Sequence, residues 1–351
     1  MSTRVFRFRP FLNSDPPHIA EIWRSQPPQR GLMQPVTPQL MELSVFSKPQ
    51  FDPQGLILAI CDGQPVGFVH AGFAPNEHGT ATDTSLGTTH MLMVRGNYLE
   101  RSISGVSDGG SLADELLAAS EQYLRNRGTK VFYGGGIRPL NTFYHGLYGG
   151  SEIPGVLQSD RVLTAACLRN QYREADRVVI LQCDLGRFQT PFSRGARLIK
   201  RATHWAESVD PIATNWWDAS LWSGLQRDHF ELIDKALGKI IAKVSFWDVL
   251  PISSSWGLST AGMLDLFVDF EWRRQGCATY LVGEAFRLLR RRGVSTVEAQ
   301  TMASNEAALD FYRKLGFKEV DHGLVYRKEG RGARNEEWVG GDFERLVNNE
   351  R

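Results

Sequence analysis

The chain has little cysteine, no clustered histidine and almost no net charge, and each shortage removes a class of function. Four cysteines stand far apart, at Cys61, Cys167, Cys183 and Cys277, without the spacing of a disulfide framework or a metal site. That pattern suits a reducing cytoplasm. The eight histidines form no HxxxH-type cluster, so no metal is expected. Forty Lys and Arg against 39 Asp and Glu leave a formal charge of +1, which argues against a dedicated nucleic-acid or membrane-surface binder. No apolar run approaches membrane-spanning length, and the first residues lack the apolar core of a signal peptide. A cytoplasmic protein, monomer or homodimer, is the expectation.

What the chain does have is enough for two cores. Its 351 residues exceed what one core usually organises, and 42% of them are hydrophobic. The expected division is a first domain over 1–185, a linker over 186–195 and a second domain over 196–351. Residues 262–317 carry most of the meaning. Residues 263–268 alternate apolar and polar like a strand, and 280–292 place Leu281, Ala285, Leu288 and Leu289 at helical spacing. Between them lies Arg273-Arg274-Gln275-Gly276-Cys277-Ala278-Thr279, a turn that opens a helix. Unpaired N–H groups and the helix dipole at such a start favour an anion. Gly276 and Ala278 leave room for close approach, and two arginines add positive charge, so the stretch suits a phosphate or pyrophosphate. A strand over 295–301 follows. Then Asn305 caps a helix whose apolar stripe is Ala308, Phe311, Tyr312 and Leu315, stopped at Gly316.

In this order the two motifs resemble the GNAT superfamily of acyl-CoA-dependent N-acyltransferases. Arg273, Gly276 and Ala278 match its pyrophosphate loop, and Asn305, Ala308, Phe311, Tyr312, Gly316 and Phe317 match its second signature. The resemblance implies an α/β (α+β) fold of two GNAT-like domains, each a mixed, mostly antiparallel, splayed sheet flanked by helices. It implies acetyl-CoA as co-substrate and a primary amine of a small molecule or a protein as acceptor, the alternative being a non-catalytic acyl-CoA-binding sensor or scaffold protein. Backbone groups of the loop from Arg273 to Thr279 would hold the pyrophosphate, and Leu266, Phe267 and Val268 the pantetheine arm, with Asn305, Ala308, Phe311 and Tyr312 along the same cleft. Tyr312 occupies the position of the proton donor to the coenzyme thiolate. The base stays open between Asp265 and Glu298, because Gln300 stands where the protein-N-terminus branch of the family has a glutamate. Cys277 reads as a small filler in the loop rather than a nucleophile.

The first 185 residues repeat the plan in weaker form. Strands are expected at 55–62, 65–73, 88–94 and 130–134, and a helix at 111–127. A short helix over 139–150 would carry Asn141, Phe143, Tyr144 and Gly149 as a shortened second signature, and a strand over 177–183 would complete the first domain. Asp108 stands where the second copy has Arg273 and would repel a pyrophosphate, so the first copy is expected to be degenerate. The second copy is expected to open with a strand over 196–202. Trp216, Trp217 and Trp222 read as packing residues.

Overall fold

The computed structural model describes residues 5–105, 111–191 and 195–330. The first half runs β1 (Arg7–Pro10), α1 (Pro16–Arg24), α2 (Pro38–Met41), β2 (Leu56–Cys61), β3 (Gln64–Pro75), β4 (Thr82–Val94), α3 (Leu99–Ser104), α4 (Leu112–Asn126), β5 (Val131–Gly134), β6 (Val156–Leu157), α5 (Arg161–Arg169) and β7 (Arg173–Asp184). The second half runs α6 (Ala196–Ala202), β8 (Thr203–Val209), α7 (Trp216–Leu221), β9 (Arg227–Asp234), β10 (Ile240–Asp248), α8 (Ile252–Trp256), β11 (Thr260–Val268), α9 (Cys277–Arg291), β12 (Thr296–Met302), α10 (Glu306–Lys314) and β13 (Lys318–Glu329). Two expectations fail here. Residues 196–202 are helix α6, and the first strand of the second half starts at Thr203. Residues 139–150 form buried turns rather than a helix.

The strands join into one continuous sheet in the order β1-β2-β3-β4-β5-β13-β7-β12-β11-β10-β9-β8, with β6 on β13. The order is symmetric about the seam between β13 and β7. The strand over 177–183 therefore does not complete the first half. It lies in β7, between β13 and β12, with Val297 opposite Cys183 and Gly323 opposite Val178. In exchange β13, the last strand of the second half, pairs with β5. Each half's sheet is closed by a strand of the other. A lone β7 on β5 would have left β12 an open edge, and unpaired edges are costly.

Among the described residues, one neighbouring pair in each half is parallel: β4 with β5 and β11 with β12. The remaining pairs are antiparallel. One face of the second half's sheet packs on α9 and α10 through Leu281, Ala285, Phe286 and Phe317. The first half's equivalent packs on α4 and α5. A third apolar cluster joins the halves, with Trp23, Tyr144 and Leu147 of the first meeting Leu221, Trp222 and Trp247 of the second. Trp222 stacks edge-on with Trp247 at 5.7 Å, and Trp217 is also buried. Only Trp216 keeps an open surface. The stretch after β7 is packed too: Phe188 meets Phe286 edge-on at 4.9 Å, and Arg287 donates to Thr190 Oγ1 at 3.3 Å.

Candidate active site

Parallel pairing of β11 with β12 stops at Met263 opposite Ala299. Two residues further on, β11 carries a bulge. Leu264 faces Ser245 and Phe267 faces Lys243, so Asp265 and Leu266 together oppose Val244. Asp265 takes φ 52, a left-handed conformation that non-glycine residues adopt at a cost. Such bulges bend a strand and re-aim its backbone. Beyond it, Leu266–Val268 pairs with β10 on one side only, among the described residues. The gap is a cleft of about 570 Å³.

One wall of the cleft is the start of α9. Gly276 is its N-cap at φ 91, and Arg274 before it has φ 60. Among the described residues no side chain caps this helix. The first-turn N–H groups therefore face the cleft with the positive end of the dipole behind them. A Cβ at φ 91 would be strained, which is why glycine sits at the turn. Arg273 donates from Nε to the Val268 carbonyl at 3.0 Å and lies over the Phe270 ring, so its charge stays at the cleft edge. The other wall is α10. Asn305 caps it by accepting from the Ala308 N–H at 3.1 Å, which turns Ala308 and Phe311 toward the cleft while Leu309 and Leu315 enter the core.

The structure brings most of the sequence candidates together. Leu266, Phe267, Val268, Arg273, Arg274, Gly276, Cys277, Ala278, Thr279, Asn305, Ala308, Phe311 and Tyr312 all line the cleft. Trp272, Thr301 and Ala307 line it as well and escaped the sequence reading, since no motif position marks them. Gln275 does not line it; its side chain turns back to the Glu271 carbonyl at 2.6 Å. Cys277 points its side chain into the core, and burial pushes its thiol up. A thiol so placed is inert. Tyr312 is buried, with Phe311 and Phe317 against its ring. Burial, and then the charge of Glu152, hold its phenol well above the ordinary value.

The two carboxylates proposed as bases are placed differently from each other, and neither lines the cleft. Glu298 is fully buried. One oxygen accepts the Ser151 N–H at 2.7 Å, and the other accepts from Gln182 at 2.9 Å and from Arg30. Its oxygens are engaged in joining the halves, away from the cleft. Asp265 is exposed at the bulge and paired with Arg138. Surrounding protein would push its pKa up, but the Arg138 charge and hydrogen bond outweigh that and hold it below the usual carboxylate value. A carboxylate so stabilised is a weak base.

The described residues of the first half differ at the corresponding place. Helix α4 is closed by a capping box, in which Ser111 accepts from the Asp114 N–H and Asp114 reaches back to the Ser111 backbone. Arg169 of α5 then holds the Asp114 carboxylate at 3.1 Å. The chain's own carboxylate stands where an anion would go. Leu92 and Val94 of β4 are fully covered, in one cluster with Leu112, Leu116 and Ala166. The counterpart of α10 is α5, not 139–150. Asp160 caps it by accepting from the Leu163 N–H, Cys167 falls seven residues after the cap as Tyr312 does, and Gln171 takes φ 67 where Gly316 takes φ 85. Tyr144 of the misread echo is instead hydrogen-bonded to His70 at 2.9 Å in the core. Asp108 lies outside the described residues.

Among the described residues no group of three or more His, Cys, Asp or Glu could hold a metal ion, and no helix is long and apolar enough to cross a membrane.

Residues 196–317 match the sequence profile described as Acetyltransferase (GNAT) family. The chain is 36% identical over 57 residues to an uncharacterized N-acetyltransferase of Methanocaldococcus jannaschii, covering 16% of this chain and 25% of that protein. It is 37% identical over 63 residues to the [Ribosomal protein bS18]-alanine N-acetyltransferase of Escherichia coli, covering 18% of this chain and 43% of that one. It thus spans less than half the length of these curated relatives. A tandem GNAT protein from the clavulanic acid biosynthesis pathway superposes with a TM-score of 0.63 over 94% of this chain and all of that one, at 13% identity, which speaks for the fold. Residues 196–317 are thus similar to the Acetyltransferase (GNAT) family, and the two halves, related strand by strand, share the fold of a tandem GNAT protein.

Proposed function

We propose that the chain transfers an acetyl group from acetyl-CoA to a primary amine, of a small molecule or a protein, by direct attack while both are bound. The observation that carries this reading is the meeting of two features: the edge of β11 freed at its bulge, and the uncapped start of α9 at Gly276. The first fits an extended, amide-bearing arm, and the second fits a pyrophosphate. We assign both to the second half, 196–351, with 1–185 as its structural partner and 186–195 joining them.

Acetyl-CoA supplies the activated acetyl group as a thioester. The chain's residues do the rest. Backbone N–H groups of Gly276 to Thr279 hold the phosphates, and Arg273 and Arg274 add charge. Backbone N–H groups of β11 past the bulge polarise the thioester carbonyl, as an oxyanion site does. The raised Tyr312 phenol stays protonated at neutral pH, so it can hand a proton to the departing sulfur. Relatives that acetylate a ribosomal-protein alanine or carry the name N-alpha-acetyltransferase 30 support an amine acceptor.

Replacing Tyr312 by Phe tests the assignment. We expect acetyl-CoA affinity to hold while kcat falls on the order of 10²-fold. Unchanged turnover in that variant would remove Tyr312 from the chemistry.

A further inference from the structure

We infer that Glu152, delivered by the first half, is the general base that takes a proton from the acceptor amine at the second half's cleft. The inference rests on the acetyltransferase reading and supplies the residue which that reading lacks.

The position of Glu152 is fixed by its neighbours. Ser151 gives its N–H to Glu298 and its carbonyl to Trp247 Nε1 at 3.0 Å. The Glu152 carbonyl accepts from Gln300 Nε2 at 2.9 Å. Gly150 lies so close that a Cβ there would meet Glu298 Oε1 at 1.9 Å, and a Cβ on Gly262 would meet Ser151 at 2.9 Å. Gly262 and Glu298 are themselves register partners of β11 and β12. The loop is thus clamped across the last paired rungs before the two strands part. The Glu152 side chain is half-buried there, 3.5 Å from Arg138, which also binds Asp265.

Three carboxylates stand near the divergence, and the geometry separates them. Glu298 has its oxygens filled by Ser151, Gln182 and Arg30. Asp265 has the close ion pair with Arg138. Glu152, which like the other two stands behind the cleft lining, has among the described residues the longer approach of the same guanidinium, and its charge acts on the Tyr312 phenol. Burial raises the Glu152 carboxyl, Arg138 draws it back and Asp265 pushes it up again, with the net effect upward. Beyond Asp265 the charged and titratable neighbours are Lys243 and His229. A raised carboxylate, held at β12 by the Gln300 bond to its own carbonyl and acting by its charge on a proton-donating phenol, matches what amine acylation requires at neutral pH.

The protons balance. The ammonium form of the acceptor gives one proton to the Glu152 carboxylate. Its nitrogen forms the bond to the acetyl carbon, and the carbon–sulfur bond breaks. The sulfur takes the Tyr312 proton, and the second nitrogen proton returns to the phenol through water. Glu152 then loses its proton to solvent, so each transfer releases one proton.

The test compares Glu152→Gln with the wild type by calorimetry with acetyl-CoA and by thiol release. Acceptors are butylamine, spermidine and an alanine-initiated peptide, with hydroxylamine as a nucleophile already neutral at the assay pH. The account expects equal acetyl-CoA affinity and a loss on the order of 10²-fold in kcat/KM with the fastest ammonium-forming acceptor. With hydroxylamine it expects less than about a tenfold loss, because no proton need be removed first. Equal losses with both kinds of nucleophile, or no loss, would overturn Glu152 as base. A wild-type protein that fails to bind acetyl-CoA, or binds it and acetylates none of these acceptors, would overturn the acetyltransferase reading and the inference with it.

Discussion

Ser151 donates its backbone N–H to Glu298 Oε1 at 2.7 Å, tying a loop of the first half to a strand beneath the second half's cleft. Gln182 and Arg30 complete the shell around the same carboxylate, and Arg30 lies over the Trp256 ring at 4.5 Å. A fully buried charge is tolerated only because each of these donors meets it.

Glu298→Ala should therefore destabilise the protein by about 3–5 kcal/mol, the usual cost of stripping one partner from a buried ion pair. Arg30 would be left with its charge uncompensated. Denaturant unfolding followed by tryptophan fluorescence reads this directly, since Trp247 and Trp256 flank the contact. A variant as stable as the wild type that had lost only turnover would instead restore Glu298 to the chemistry.

The exchange of β7 and β13 predicts that the second half does not fold by itself. Expressed alone, residues 186–351 would lack β7, leaving β12 unpaired on one side and β13 without either neighbour. Open edges of that kind drive aggregation. The expected product is insoluble or, by heteronuclear NMR, without dispersed amide signals. A monomeric, cooperatively unfolding fragment would contradict the exchange.

His70, His90 and His145 are buried, and burial pushes His90 and His145 down to about 3 and His70 well below its ordinary value. An unfolded histidine protonates near pH 6.5. The unfolded chain thus binds more protons than the folded one between about pH 6.5 and 3, and stability falls as pH drops through that window. Asp160, raised to about 6 by burial against its cap hydrogen bonds, and Glu115, Glu152, Asp176 and Asp248, also raised by burial, act in the opposite direction, while Asp15, Asp114 and Asp265, held low by arginine partners, act with the histidines. Unfolding midpoints should fall between pH 7.5 and pH 5 by about 1–2 kcal/mol for each histidine not offset. His90→Gln should reduce the drop. Equal midpoints at both pH values would show that these rings do not stay neutral.

The second half's site was legible because its chemistry is written in consecutive residues. Gly276 at a strand-to-helix turn and Asn305 ahead of an apolar stripe act within a turn or two of their own position, so spacing alone locates them. What failed were features decided by distant chain. The pattern over 177–183 shows a strand, but which edge it joins depends on β12 and β13, more than a hundred residues away. The echo at Asn141 and Tyr144 matched letters, whereas the helix formed at Asp160, where a cap and a left-handed Gln171 meet local demands without any shared letter. Glu152 lies in a stretch of glycine and proline with no motif. Only the fold brings it beside Arg138 and β12.

We place one coenzyme site in each chain, in the second half, and calorimetric titration of the full chain with acetyl-CoA reads its number. The account predicts a stoichiometry of one, abolished in Gly276→Glu, where a carboxylate would stand against the phosphates. A stoichiometry of two would show that the capped start of α4 accepts a coenzyme after all. Binding that survives Gly276→Glu would contradict the placement of the site.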